Sequence, residues 1–196
     1  MQVDKYQGIT AQVSSEYRSS GSKFYGYLFP INSAEDFEQR IKQYKEEYAD
    51  ATHVCSACVI GVDRAYQRCS DDGEPSSSSG RPILHALLSA EITYVGCAVV
   101  RYYGGKKLGI PGLIGAYGGA AKLCVEKATI VELVVKETIR CTMHHTEAYR
   151  LYNFLARQKD VTYITAPDGT FEITCRKSLT RKLLSDLNNI LTLKVI

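Results

Sequence analysis

The chain has 196 residues, 45% of them hydrophobic, enough for one substantial core or two small ones and too many for a disordered polymer. A net charge of +3 excludes a general polycation, and the excess lies late: residues 1–136 hold 15 Lys and Arg against 15 Asp and Glu, residues 137–196 hold 9 against 6. No apolar stretch nears the roughly 20 residues that span a bilayer, and the opening MQVDKYQGIT lacks the core of a secretion signal. With seven cysteines, an odd number, reduced thiols and a cytoplasmic location are expected.

The chain before residue 23 is expected to be mobile. KFYGYLFPI (23–31) has the aromatic composition of a strand, ended by Pro30. SAEDFEQRIKQYKEEY then opens a helix on Ser33, with Asp36 three residues on as a capping box and Phe37, Ile41, Tyr44 and Tyr48 on one face. THVCSACVIGV (52–62) predicts a strand, and CSDDGEPSSSSGRP a loop without an apolar side chain to bury. Pro82 suits the first turn of a helix through Leu84, Leu87 and Leu88. ITYVGCAVV (92–100) is nearly continuous in apolar residues and predicts a strand buried on both faces. A small-residue helix follows, from about Pro111 to about Lys127. Beyond Thr129 the pattern predicts strand (130–141), helix (145–158), strand (160–166), strand (170–176), helix (179–190) and strand (191–196). PDGT at 167–170 joins the middle strands as a hairpin, and Leu179, Leu183, Leu187 and Ile190 form one apolar stripe. This β-α-β-β-α-β order is a ferredoxin-like arrangement and places a domain boundary near Glu132, giving domains 1–131 and 132–196.

RYYGGKKLGIPGLIGAYG (101–118) holds six glycines and three cations directly after the buried strand. Two readings compete. Gly104, Gly105 and Gly109 permit positive φ, Arg101, Lys106 and Lys107 supply charge, and Tyr102 and Tyr103 can stack on bases, which suits phosphate or nucleic acid. Alternatively Gly112, Gly115, Gly118 and Gly119, at helical spacing, let the helix lie close on the sheet. No Gly-Lys-Ser/Thr follows at Walker spacing. The acidic turn carries Asp71, Asp72, Gly73 and Glu74. Its carboxylates could hold Mg²⁺ against a phosphate, or pair with Arg101 and the lysines as a clasp between two loops.

HVCSAC lacks the second ligand pair of a zinc site, and Cys55 and Cys58 on a strand point to opposite faces, so no metal site is expected. His144 and His145 read as a helix cap or surface residues.

DDGEPSSSSGRP followed by RYYGGKKLGIPGLIGAYG, with SGSKF upstream and ATHVCSA between, resembles the YigZ/IMPACT family over residues 18–118. The last sixty residues are similar to the small ferredoxin-like domain of bacterial members, itself similar to a domain of translation elongation factor G. The resemblance implies an α+β protein: a ribosomal protein S5 domain-2-like first domain, with a four-stranded sheet and helices on one side, then the ferredoxin-like domain. Eukaryotic relatives, which carry a further N-terminal interaction domain, regulate translation. By motif position it carries over Asp71, Asp72, Gly73, Glu74, Arg101, Gly104, Gly105 and Lys107 as the functional surface, with Lys23 more distant. Two departures stand out. Ser77, Ser78 and Ser79 replace the usual Gly-Thr-Ala, and Pro111 and Gly115 stand where glycine and arginine are usual, which removes one phosphate contact from the helix.

The expected function is non-catalytic binding of RNA or a ribosomal surface, modulating translation, with Arg101, Lys106 and Lys107 neutralising phosphates and no cofactor. One alternative is a Mg²⁺-dependent enzyme on a phosphorylated or nucleotide substrate, using Asp71, Asp72 or Glu74. The other is an adaptor for a protein partner.

Overall fold

The computed structural model describes residues 4–142, 148–190 and 194–195. The chain is α+β and divides into two compact units, Tyr6–Leu133 and Met1–Lys5 with Val134–Ile196. His144 and His145 lie outside the described residues.

The first unit is built on an antiparallel five-stranded sheet. Its strands are β2 (Val13–Ser19), β3 (Ser22–Pro30), β4 (His53–Ile60), β5 (Tyr66–Ser70) and β6 (Val95–Tyr102), in the order β2-β3-β6-β4-β5. Residues 4–22, within the start expected to be mobile, are structured. Besides β2 they supply β1 (Lys5–Ile9), which pairs with β7 (Ile130–Val134). Their strand character was hidden because most side chains are polar, yet the turn between β2 and β3 is written plainly. Ser20 and Gly21, at φ 47° and 82°, form the two-residue connection that matches the twist of a hairpin.

Period-two alternation splits the central strands between two cores. Phe24, Leu28, Cys55, Val59, Cys97 and Val99 face α2 (Gly80–Ser89) and α3 (Gly109–Lys127). Phe29, Val54, Cys58, Ala98 and Val100 face α1 (Ala34–Glu47), which buries Phe37 and Tyr44. Helices therefore cover both faces of five strands, where one covered face of four strands was expected. The continuous apolar run of β6 has this as its cause. Ser33 caps α1 by accepting from the Asp36 N–H at 3.2 Å, while Asp36 reaches back one residue further than a capping box, to the Asn32 N–H at 3.0 Å.

Close approach of α3 to the sheet depends on a strand glycine, Gly26, and on one helix glycine, Gly119, where a Cβ would lie 2.8 Å from the Tyr17 ring. A Cβ on Gly26 would lie 3.0 Å from the Ala120 carbonyl and 2.9 Å from the Cys124 sulfur, whereas one on Gly115 would meet nothing within 4 Å. The helix presents Ala116, Ala120 and Ala121 to this core.

The second unit runs β8 (Lys136–Thr142), α4 (Ala148–Leu155), β9 (Val161–Thr165), β10 (Phe171–Arg176), α5 (Lys177–Ile190) and β11 (Lys194–Val195). The run expected as one strand over 130–141 is divided between β7 and β8. The sheet order is β11-β8-β10-β9, antiparallel throughout. Its core joins Ile139, Cys141, Leu151, Leu155, Ile173 and Leu187. Of the stripe expected on α5, Leu183 and Leu187 are buried, Leu179 is 36% exposed, and the Ile190 side chain lies outside the description.

Candidate functional site

The acidic loop is held to the first unit through each of its carboxylates. Asp71 accepts from the backbone N–H groups of Ser77 (2.8 Å), Ser79 (3.0 Å) and Gly80 (2.8 Å) and from the Ser79 hydroxyl (2.8 Å). It thus caps α2 from outside the helix, where Ser79, the N-cap residue, makes no side-chain cap bond. Burial pushes the Asp71 carboxyl up, but these hydrogen bonds from Gly80, Ser77 and Ser79 outweigh it and hold the group below its ordinary 3.8. A lowered folded value stabilises above the unfolded value near 3.8 and loses that contribution as pH falls through the folded one. Asp71→Ala should cost about 0.5–2 kcal/mol in urea unfolding at neutral pH, the range for a lost helix cap. Asp71→Asn should also remove its share of the loss of stability on acidification.

Asp72 accepts from the Val54 N–H at 2.7 Å and pairs with Lys45. Its carbonyl accepts from His53 Nδ1 at 2.7 Å, and Gly73 turns at φ 87° beneath the His53 ring. Glu74, 9% exposed, is the deepest of the three. It accepts from Arg101 Nη1 at 2.5 Å and from the Tyr117 hydroxyl at 2.7 Å. Burial, foremost, holds the Tyr117 phenol protonated.

Arg101 is 6% exposed, with its guanidinium 5.6 Å from the ring centroids of both Phe24 and Tyr103. The structure places it inside the unit, neutralised by Glu74, and not on an open anion-binding surface. The register accounts for this. Arg101 continues the alternation of Cys97 and Val99 toward the α2–α3 core and lies opposite Phe24. Among the described residues no cluster of three or more His, Cys, Asp or Glu side chains is arranged to hold a metal ion.

The remaining cations behave differently. Lys23, Lys106 and Lys107 are exposed, and none is ion-paired among the described residues. Gly104 is fixed by its neighbours: its N–H donates to the Ser22 hydroxyl at 3.1 Å, and a Cβ there would sit 1.9 Å from the Gly21 carbonyl carbon. Gly105, at φ 85°, stands in open space.

Lys23 opens onto a groove that composition alone did not reveal. On the sheet face opposite α2 and α3, Lys23, Tyr25, Tyr27, Tyr48, Tyr102 and Tyr103 line a concavity of about 570 Å³. Tyr25 and Tyr102 meet edge to face at 6.0 Å, and the Tyr27 and Tyr48 hydroxyls share a hydrogen bond of 2.6 Å. The Tyr102 hydroxyl donates to Asp50 at 2.8 Å. The bonds to Tyr27 and to Asp50, respectively, raise the Tyr48 and Tyr102 phenols above their ordinary value, so both rings are neutral near pH 7. Sequence reasoning found Tyr102, Tyr103 and Lys23 but missed Tyr25, Tyr27 and Tyr48. The signal was the Lys23-x-Tyr25-x-Tyr27 alternation, which puts all three on one face.

Against known proteins, the Impact N-terminal domain family matches residues 20–125. The IMPACT family member YvyE of Bacillus subtilis (strain 168) is 33% identical over 134 residues, 68% of this chain and 62% of that protein. The chain thus spans under two thirds of that relative. The IMPACT family member in the pol 5' region of Thermus thermophilus is 36% identical over 149 residues, 76% of this chain and 80% of that protein. A crystal structure described as that of an hypothetical protein shares the fold, with a TM-score of 0.74 and 22% identity over 100% of this chain and 98% of the other. No helix among the described residues is long and apolar enough to cross a membrane. A family match over more than half of the residues, together with these relatives, places the chain in the IMPACT (YigZ/IMPACT) family.

Proposed function

We propose that this protein is a non-catalytic binder of single-stranded RNA, free or on a ribosomal surface, and that it modulates translation in the cytoplasm. The observation that carries the reading is the tyrosine-lined groove beside unpaired Lys23, with Lys106 on the neighbouring loop. Aromatic rings that line a groove beside the end of α1 can stack bases at about 1–3 kcal/mol per base without selecting sequence, and flanking ammonium groups take the backbone phosphates. The phosphate contacts move from Arg101, which is buried and paired with Glu74, to Lys23 and Lys106. Two domains, 1–131 and 132–196, belong to this reading, the first S5 domain-2-like. The second is ferredoxin-like on its β-α-β-β-α-β order and antiparallel sheet. Fold analogy alone assigns no role to them.

Asp71, Asp72 and Glu74 each hold internal partners, which weighs against the enzymatic alternative.

Fluorescence anisotropy with a short single-stranded RNA tests the proposal. With two phosphate contacts, log K should fall with log salt at a slope of about −1.4, and Lys23→Ala or Lys106→Ala should each reduce that slope by about 0.7. Binding that ignores salt and both substitutions rejects it. Co-purification of a protein partner that survives nuclease treatment, with no RNA affinity, favours the adaptor.

A further inference from the structure

A second cavity, separate from the groove and sharing only Tyr103 with it, has no role in the RNA reading. It encloses about 440 Å³ between the start of β4, the turn after the acidic loop, the end of β6 and the first turn of α3. Its walls are largely apolar, formed by Pro75, Leu108, Ile110, Leu113 and the Tyr103 ring. Such a volume with apolar walls and a few converging polar groups is the usual form of a small-molecule site. Ile110, at the mouth of this cavity, is 54% exposed.

Three nitrogen-bearing side chains line this cavity, beside Thr52 and Glu74. His53 lines it with a fixed tautomer: Nδ1 must donate, because its partner is the Asp72 carbonyl, so in the neutral ring Nε2, 4.0 Å from Glu74 Oε1, is the acceptor. Lys107 lines it as an exposed, unpaired cation. Arg101 lines it too, more than nine-tenths buried, and its Nε is a buried nitrogen without a hydrogen-bond partner among the described residues. The Glu74 carboxylate also lines the cavity, paired with Arg101 and 4.0 Å from His53 Nε2, which leaves Lys107 as uncompensated positive charge at a hydrophobic opening. The first turn of α3 adds N–H groups without a side-chain cap.

We propose that this cavity binds a small organic anion with a compact apolar body. Lys107 pairs with the anionic end, Ile110 and Leu113 pack on the body, and His53 Nε2 accepts a hydrogen bond from a hydroxyl or amide of the ligand. The shared chemistry is one anionic group on an aromatic or branched aliphatic frame, and carboxylates and phosphate monoesters are its two sources.

Isothermal titration of the full chain with phenylacetate and with phenyl phosphate separates those sources, with acetate and benzyl alcohol as probes lacking one half of the ligand. Saturable binding of at least one aromatic anion, exceeding both half-probes, is expected. Lys107→Met should weaken it about tenfold, the loss of one charge-assisted hydrogen bond, and Ile110→Ser should weaken it as well. Both side chains are exposed, so neither change should disturb folding, which circular dichroism checks. Lys106→Met should leave the anion affinity intact while weakening RNA, so failure of one reading is separable from failure of the other. No binding of either aromatic anion, equal binding of acetate, or binding indifferent to both Lys107→Met and Ile110→Ser overturns the proposal.

Discussion

Glu74→Ala is expected to destabilise the first unit by about 3–5 kcal/mol, the cost of leaving a buried charge without its partner. Arg101 is 6% exposed, with its guanidinium 5.6 Å from the ring centroids of Phe24 and Tyr103. Removing the carboxylate also strands the Tyr117 hydroxyl, whose partner is the same Glu74 oxygen. Against a typical total of about 5–15 kcal/mol, the loss is a large fraction of the stability. Replacing the pair together, Glu74→Leu with Arg101→Met, should recover most of it, because an apolar pair of similar size carries no desolvation cost. Urea unfolding of the two singles and the double mutant gives the coupling directly. A single-mutant loss below about 1 kcal/mol would mean that Arg101 reaches solvent, and the clasp description would fail.

The second large effect falls on Gly104. A methyl group there would lie 1.9 Å from the Gly21 carbonyl carbon and 2.1 Å from its oxygen. Both are backbone atoms of the Ser20–Gly21 turn, so no side-chain rotation relieves the contact and the β2–β3 hairpin must shift. Gly104→Ala should therefore exceed the roughly 1–3 kcal/mol of ordinary overpacking. Gly105→Ala is the control. It meets nothing within 4 Å and carries only the cost of its φ of 85°, about 1–2 kcal/mol. Equal losses for the two would contradict the steric account. The pair also divides the glycine motif by cause, since Gly104 serves the approach of two chain segments while Gly105 serves the loop conformation alone.

Much of the fold was legible where burial and chain geometry act locally. The apolar run of β6 announced a strand covered on both sides, and Ser33 and Lys127 marked helix boundaries close to those observed. The β1 and β2 strands were missed because their few core side chains, Ile9, Val13 and Tyr17, are scattered among polar residues, and pairing with β7 and β3 completes them. For the site, the sequence brought Arg101, Lys106 and Lys107 together by proximity in the chain. Strand geometry separates them. Arg101 still obeys the inward alternation of β6, whereas the two lysines follow its end and escape it. The tyrosine groove was legible only in part: the alternation of Lys23, Tyr25 and Tyr27 marks one face, but β3, β6 and the end of α1 converge only through tertiary folding.

The most direct test of the account compares RNA titrations of the wild-type chain and Tyr25→Ala at fixed low salt. Tyr25 lies in the groove and away from Glu74, Asp71 and the second cavity, so its removal reports on the sheet face alone. A loss of about 1–3 kcal/mol in RNA binding, with the fold retained, is the predicted result. Unchanged affinity in Tyr25→Ala, with wild-type RNA binding intact, would place the nucleic acid elsewhere and contradict the assignment of the tyrosine face.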